Sequence, residues 1–201
     1  MNDVAGAVGR PRRSSQRILE EAAAELFLEQ TYARTTIDQI AARAGVSRNT
    51  FFNYFPAKSD LLWVDFDETM AGLGAQLAGV DPAVPALDAV RQAITAVAAS
   101  HPSDSVPWAL TQYELMGTLD DLQASGLARF MKQCAVLQAF VEARLGERGT
   151  VRPPAIAFAV LAAAAAAAGV WAQAGVSRRP LAEYVAEAIA PVCDGFASAA
   201  S

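Results

Sequence analysis

A tight glycine turn between two short helical patterns constrains the fold of this chain most. Gly45 follows Ile40 and Ala41, which are apolar positions at helical spacing, and a helix that ends this way commonly has a glycine at positive φ. Two residues later, the hydroxyl of Ser47 can cap a new helix. Pro56 ends that second helix, because proline cannot continue it and makes the preceding residue extended. This spacing predicts a helix-turn-helix.

The residues before the glycine turn predict two supporting helices. A first helix is expected over 14–30, capped by Ser14 or Ser15. Its apolar stripe comprises Ile18, Ala22, Leu26 and Phe27. Thr36 begins the next helix and has Gln39 three residues on, which is the spacing of a capping box.

The rest of the chain also shows helical spacing, and alternating strand-like runs are scarce. A helix beginning at Lys58 carries apolar residues as far as Leu73. Further helices are expected at 86–100, 107–117, 120–146, 154–175 and 180–198. With 53% apolar and 18% charged residues, the chain is predicted to be globular and all-α. The predicted divisions are a flexible basic arm (1–13), a helix-turn-helix domain (14–60) and a C-terminal domain (61–201).

Charge is distributed unevenly along the chain. The formal net charge is −5, which by itself disfavours nucleic acid as a partner. However, residues 9–58 carry eight basic and five acidic side chains, whereas residues 61–201 carry eight basic and fourteen acidic side chains. A basic N-terminal part on an acidic body is typical of a protein in which only the N-terminal part contacts DNA.

The two cysteines indicate the redox state of the compartment, and one alanine-rich run has the length of a membrane span. Cys134 and Cys193 lie far apart without metal-ligand spacing, which favours buried thiols in a reducing cytoplasm and predicts no metal site. The run 154–175 is long enough to span a bilayer, but it is mostly alanine, which inserts weakly. We expect a helix that another helix approaches closely, and no membrane contact.

The two stretches around the glycine turn resemble a known family. Residues 35–41 and 44–62 are similar to the signature of TetR-type regulators. The resemblance implies an N-terminal three-helix DNA-binding domain followed by a helical ligand-binding and dimerisation domain. It further implies a cytoplasmic, nucleoid-associated repressor that binds double-stranded operator DNA as a homodimer through its last two helices. No cofactor is implied.

The resemblance and the side-chain chemistry together indicate which residues contact DNA. Arg48 can donate two bonds to guanine, and Asn49 or Asn53 can bond adenine. Phe52 stands where the family often has tyrosine, and its ring can touch a thymine methyl group. The other expected contacts are the recognition-helix residue Ser47 and the phosphate-binding residues Thr36, Tyr54 and Lys58. Lys58 is also expected at a helix N-terminus, where backbone N–H groups attract an anion. A basic arm at Arg10, Arg12 and Arg13 either enters the minor groove or remains a solvated tail.

The C-terminal domain is expected to enclose a hydrophobic effector. Its candidate lining residues are Trp63, Phe66, Met70, Trp108, Tyr113, Met116, Phe130 and Phe158. Residues 62–67 are similar to a subgroup linked to the mycofactocin redox-peptide system, which implies a long-chain acyl-CoA effector. An apolar pocket would suit a drug or an aromatic compound equally. The helix from Lys58 is expected to transmit the response to the DNA-binding domain.

Two other classes of function stay open on the sequence. The first is a ligand-independent DNA-binding or architectural protein with the same N-terminal domain and a solid C-terminal core. The second is an enzyme, but His101 is the single histidine and lies in a loop, and no phosphate loop or metal-binding helix motif is present. We therefore expect no catalytic residues.

Overall fold

The computed structural model describes residues 12–102 and 105–198, with side chains from residue 16 onward. Every regular element in these residues is helical. The α-helices, in chain order, are α1 (Arg12–Gln30), α2 (Ile37–Arg43), α3 (Arg48–Phe52), α4 (Val64–Met70), α5 (Leu73–Gly79), α6 (Ala86–Ala99), α7 (Trp108–Thr111), α8 (Tyr113–Met116), α9 (Leu119–Leu145), α10 (Arg152–Gln173) and α11 (Leu181–Ser198). Two 3₁₀ helices cover Lys58–Trp63 and Gly175–Ser177. The predicted all-α fold class is confirmed.

The chain divides into two compact units. The first unit comprises residues up to Val64 together with Gln112–Asp121, and the second comprises Asp65–Thr111 and Leu122–Ser201. The functional boundary expected after residue 60 stays a prediction. What the sequence pattern did not indicate is that residues 112–121 group with the N-terminal helices.

In the first unit, α1 packs against α2 and α8, and α2 packs against α3. The predicted apolar stripe of α1 is nearly correct. Leu19, Ala23 and Phe27 are fully buried, whereas Ile18 is half-buried, so the centre of the buried face lies one residue later than expected. The helix also begins at Arg12, so the predicted caps Ser14 and Ser15 lie inside it. The rest of the predicted basic arm lies outside the described residues, and the side chains of Arg12 and Arg13 do as well.

The second unit has a core formed by α5, α6, α9, α10 and α11. Ile156 and Val160 of α10 and Ile189 of α11 are fully buried in it. By length and composition alone, helix α10 could cross a membrane. However, its buried residues pack one of its faces against the helical core. Both cysteines are buried in this core, and burial raises the pKa of each thiol.

Two predicted helices are interrupted. The helix expected from Lys58 to Leu73 is a 3₁₀ turn, α4 and then α5, with a break at Ala71 and Gly72. The helix expected over 107–117 is two short helices separated at Gln112, whose φ and ψ of −116° and 7° are not helical. The predicted stop at Gly117 is confirmed, since this residue caps α8 at a positive φ of 62°.

Arg144, near the end of α9, holds the loop 80–84 by hydrogen bonds. Its guanidinium lies over the ring of Phe140, with 5.2 Å from Cζ to the ring centroid. It donates to four backbone carbonyls, those of Val80 (3.3 Å), Asp81 (3.0 Å), Pro82 (2.6 Å) and Val84 (3.4 Å). The planar fork of arginine suits such a cluster of acceptors, whereas a lysine ammonium could reach fewer of them.

We expect Arg144→Ala to lower the free energy of unfolding by about 1–3 kcal/mol, because the loop carbonyls lose charge-assisted hydrogen bonds. In a chain of this size, each kcal/mol corresponds to roughly 2–4 °C in Tm, so a thermal melt followed by circular dichroism measures the loss. The control is Arg148→Ala, which removes an exposed arginine from the following linker. An equal fall in Tm for both variants would contradict the assignment.

Candidate nucleic-acid interface

The helix-turn-helix begins at the predicted capping box. The backbone N–H of Gln39 donates to Thr36 Oγ1 at 3.2 Å, and the backbone N–H of Thr36 donates to Gln39 Oε1 at 2.8 Å. Ile40 and Ala41 form the buried side of α2, as expected from their spacing. This arrangement fixes where α2 starts and leaves the side chain of Thr36 exposed.

The turn between α2 and α3 depends on Gly45. Its φ is +68°, a left-handed value that side chains with a Cβ rarely adopt. Its N–H donates to the carbonyl of Ala42 at 3.1 Å, and the N–H of Val46 donates to the carbonyl of Ala41 at 2.9 Å. Ser47 then caps α3, accepting from the N–H of Thr50 at 3.0 Å. The predicted turn and both predicted caps are confirmed.

We expect Thr36→Ala to lower the free energy of unfolding by about 1 kcal/mol, because the first turn of α2 loses its side-chain acceptor. Thermal melting of the two proteins measures this. Thr36→Ser retains the hydroxyl and should recover most of the loss. If Thr36→Ser and Thr36→Ala have the same Tm, the capping box makes no measurable contribution to stability.

Helix α3 has one buried and one exposed side. Phe51 is fully buried, and its ring centroid lies 5.6 Å from that of the buried Phe55. Val46 and Thr50, also expected to face inward, are half-buried. The exposed side chains are those of Ser47, Arg48, Asn49, Phe52 and Asn53, and Tyr54 is half-buried beside them. The structure therefore brings the six sequence-predicted residues of 47–54 together on one surface.

Arg48 is engaged with neighbours on that surface. Its Nη1 lies 2.7 Å from Oδ2 of Asp38, and its Cζ lies 5.4 Å from the ring centroid of Phe52. Both charged side chains of the ion pair are more than half exposed. Exposed pairs of this kind contribute about 0–1 kcal/mol, so the guanidinium can exchange this partner for another. Sequence reasoning missed Asp38, although it is an acidic residue on the helix preceding α3.

Lys58 adopts an arrangement that its sequence position did not indicate. Its ammonium donates to the backbone carbonyls of Tyr32 and Thr35, at 2.7 and 2.8 Å. The 3₁₀ turn that begins at Lys58 also has an anion of its own, since the carboxylate of Asp60 accepts from the N–H of Ala57 at 2.8 Å. The carboxylate of Asp60 therefore occupies the position at the start of this turn where an external anion was expected.

The candidate effector residues are divided between the two units. Trp63, Tyr113 and Met116 belong to the first unit, where Met116 is fully buried. The second unit contains the other five, which are Phe66, Met70, Trp108, Phe130 and Phe158. Within it, the rings of Phe130 and Phe158 meet edge to face with centroids 5.7 Å apart. The structure thus brings Phe130 and Phe158 into contact, and the lining of an effector pocket stays a prediction.

A separate concavity of about 630 Å³ lies on the outer side of α10 and α11. Its lining residues are Ala166, Gly169, Val170, Gln173, Ala174 and Tyr184. None of these is among the predicted effector residues.

His101 is held by two hydrogen bonds in the second unit. Its Nδ1 lies 3.1 Å from Thr69 Oγ1, and its Nε2 donates to the carbonyl of Ser105 at 2.7 Å. Its ring meets that of the buried Trp171 edge to face. These contacts give the histidine a packing role.

Comparison with known proteins identifies the two parts of the chain. Residues 19–62 match the model of bacterial regulatory proteins of the tetR family, and residues 84–197, more than half of the chain, match the MftR C-terminal domain. A Mycobacterium tuberculosis (strain ATCC 25618 / H37Rv) protein named as a mycofactocin biosynthesis transcriptional regulator, MftR, is 28% identical over 165 residues. The match covers 82% of this chain and 83% of that protein.

Solved structures show the same fold. FadR of Thermus thermophilus, a TetR-family transcriptional repressor solved in complex with lauroyl-CoA, has a TM-score of 0.57 at 23% identity, covering 90% of this chain and 94% of that one. NalD of Pseudomonas aeruginosa, the secondary repressor of the MexAB-OprM multidrug efflux pump, has a TM-score of 0.57 at 19% identity, covering 91% and 96%. The chain therefore belongs to the TetR family of bacterial transcriptional regulators, in the subgroup that carries the MftR C-terminal domain.

Proposed function

We propose that this regulator is a cytoplasmic repressor that binds operator DNA as a homodimer and is released by a hydrophobic effector. The exposed polar side of α3 carries this proposal. A five-residue helix, capped by Ser47 and anchored by Phe51, presents short polar groups and one arginine to solvent. A recognition helix in the major groove needs side chains of this kind at base edges.

The proposed contacts divide by chemistry. Arg48 donates to guanine, and Asn49 or Asn53 bonds adenine through its amide. Ser47 donates from the start of α3, and the half-exposed ring of Phe52 touches a thymine methyl group. Thr36 and Tyr54 bond phosphate oxygens at the edges of the interface and fix its register.

The proposed dimer interface lies on α10 and α11. An apolar stripe runs along the exposed side of α10 at helical spacing, formed by Ala162, Ala165, Ala166, Gly169 and Val170. A monomer leaves this stripe in water, whereas a partner helix can approach its small side chains closely. Two copies of α3 placed roughly 34–36 Å apart would then fit successive major grooves.

For the effector we propose a long-chain acyl-CoA. Two observations support it: the lauroyl-CoA complex of a protein with the same fold, and the apolar character of the five candidate residues in the second unit. Such a ligand acts by preferring the conformation that does not bind DNA. To reverse the populations of the two conformations almost fully, it needs about 5.5 kcal/mol of differential affinity.

The test is fluorescence anisotropy on a labelled duplex covering the intergenic DNA beside the gene, across a salt series, with and without oleoyl-CoA. We expect selective binding that weakens as salt rises, and release by oleoyl-CoA but not by free coenzyme A. Selective binding that ignores oleoyl-CoA, without any thermal shift from the ligand, would favour the ligand-independent alternative. Binding that does not distinguish this duplex from a scrambled one would contradict an operator at this position.

A further inference from the structure

The ammonium of Lys58 has two hydrogen-bond acceptors and one aromatic ring as neighbours inside the first unit. Nζ lies 2.7 Å from the carbonyl oxygen of Tyr32, 2.8 Å from that of Thr35 and 3.8 Å from the centroid of the Tyr32 ring. An ammonium has three N–H donors and no acceptor. Two of these donors bond the carbonyls, and the positive charge also lies over an aromatic face.

The carbonyls that receive Lys58 belong to the turn between α1 and α2. In this turn Thr31 has a φ of +72°, which is costly for a β-branched residue. The hydroxyl of Thr35 donates to the carbonyl of Thr31 at 2.8 Å, and the N–H of Thr35 donates to the carbonyl of Tyr32 at 3.1 Å. A cation at this place also offsets the negative end of the α1 dipole. Lys58 thus stabilises a strained turn that leads directly into the cap of α2.

Tyr32 continues the connection to residues 112–121. Its N–H donates to the carbonyl of Met116 at 2.8 Å, and its hydroxyl hydrogen-bonds the carboxylate of Asp121. Burial and this carboxylate raise the pKa of Tyr32, while burial lowers the pKa of Lys58 despite the opposing charge of Asp121. Both directions fit an ammonium and a phenol that are held away from bulk water.

We propose that Lys58 is a positioning residue that joins the α1–α2 turn to the segment after α3, and that it does not contact phosphate. This proposal rests on the proposed function, because it concerns how the DNA-binding unit is built. To reach a phosphate, the ammonium would have to leave both carbonyls and the Tyr32 ring. The turn would then lose the cation that holds it at the moment of DNA binding.

The chain offers a direct spectroscopic test, because Lys58 and Lys132 are its two lysines. In the full-length protein labelled with ¹⁵N-lysine, ammonium resonances are recorded free and with saturating intergenic duplex, and assigned with Lys58→Arg. We expect a slowly exchanging Lys58 signal, shifted upfield by the Tyr32 ring and unchanged on adding DNA. The exposed Lys132 serves as the solvent-exchanging reference. A Lys58 signal that exchanges as fast as that of Lys132, or that moves when DNA binds, would overturn the proposal.

Two substitutions supply an independent readout. A phosphate contact by lysine contributes about 0.9 to the slope of log K against log salt. We expect Lys58→Arg to keep this slope and Lys58→Met to keep it too, with a lower Tm for both variants. Arg48→Gln is the comparison variant, which should weaken operator binding through the lost base contact and leave Tm unchanged. A lower slope in Lys58→Met with an unaltered Tm would overturn the proposal.

The outcomes separate this proposal from the proposed function. If no duplex binds selectively, the operator hypothesis fails, but the Lys58 signal and the Tm of Lys58→Arg in the free protein still decide the role of Lys58. If Lys58→Met does not fold, Lys58→Arg retains the charge and answers the same question. If Lys58→Arg has the same Tm as the wild type, the proposed positioning role does not require a lysine and the proposal is contradicted.

Discussion

Arg48→Ala is expected to weaken binding to the operator by about 1–3 kcal/mol, roughly 5- to 150-fold, with the largest loss at a guanine-containing position. The guanidinium first has to leave Asp38, but that exposed ion pair contributes at most about 1 kcal/mol. The gain from a bidentate base contact therefore exceeds the cost. Anisotropy titrations with the intergenic duplex and with single-base variants measure both the loss and its position.

The matched control is Arg91→Ala. Arg91 is a partly exposed arginine that also has carboxylate partners, Asp88 and Asp194, but it belongs to the second unit. It should leave DNA affinity unchanged, so a general charge effect can be told from a contact. Asp38→Asn provides the opposite test, since freeing Arg48 should raise affinity. Equal affinity losses for Arg48→Ala and Arg91→Ala would exclude a specific base contact by Arg48.

Gly169→Glu is expected to convert the proposed dimer into a monomer of 21.1 kDa and to lower operator affinity by two orders of magnitude or more. The substitution places a charge within the apolar stripe of α10, which would be buried by the partner. A single DNA-binding unit then loses the avidity of two, which is worth about 10²–10⁴ in affinity. Light scattering after size exclusion gives the mass, and anisotropy gives the affinity.

The monomer itself should tolerate this change. A Cβ at Gly169 meets no atom within 4 Å, and glutamate has a higher helix propensity than glycine. Gly74→Glu is the control, because Gly74 is exposed on α5 with the same open surroundings but lies outside the proposed interface. If Gly169→Glu remains a dimer with full affinity, the interface lies elsewhere on the second unit.

How much of this molecule could be predicted depended on the distance along the chain between interacting groups. The capping box at Thr36, the turn at Gly45 and the cap at Ser47 involve partners within a few residues, so the sequence pattern identified each of them. The exposed side of α3 followed from the same periodicity. The family signature added the expected role of this surface.

Interactions between distant residues were not predictable in the same way. Lys58 meets Tyr32 and Thr35 across more than twenty residues, and nothing in a single sequence aligns the ammonium with those carbonyls. Met116 was expected to line a pocket because it is apolar; it is fully buried in the first unit, and its place in a pocket stays a prediction. Apolar residues suit a core and a pocket equally well, so composition alone could not separate the two roles.

The grouping of residues 112–121 with the N-terminal helices has a consequence for biosynthesis. A ribosome that has released residues up to Val64 has not yet supplied Met116, whose carbonyl receives the N–H of Tyr32. At about 5–20 residues per second, several seconds pass before that segment emerges. The N-terminal helices of a nascent chain must therefore wait in an incomplete state, and a fragment ending at residue 64 would reproduce that state permanently.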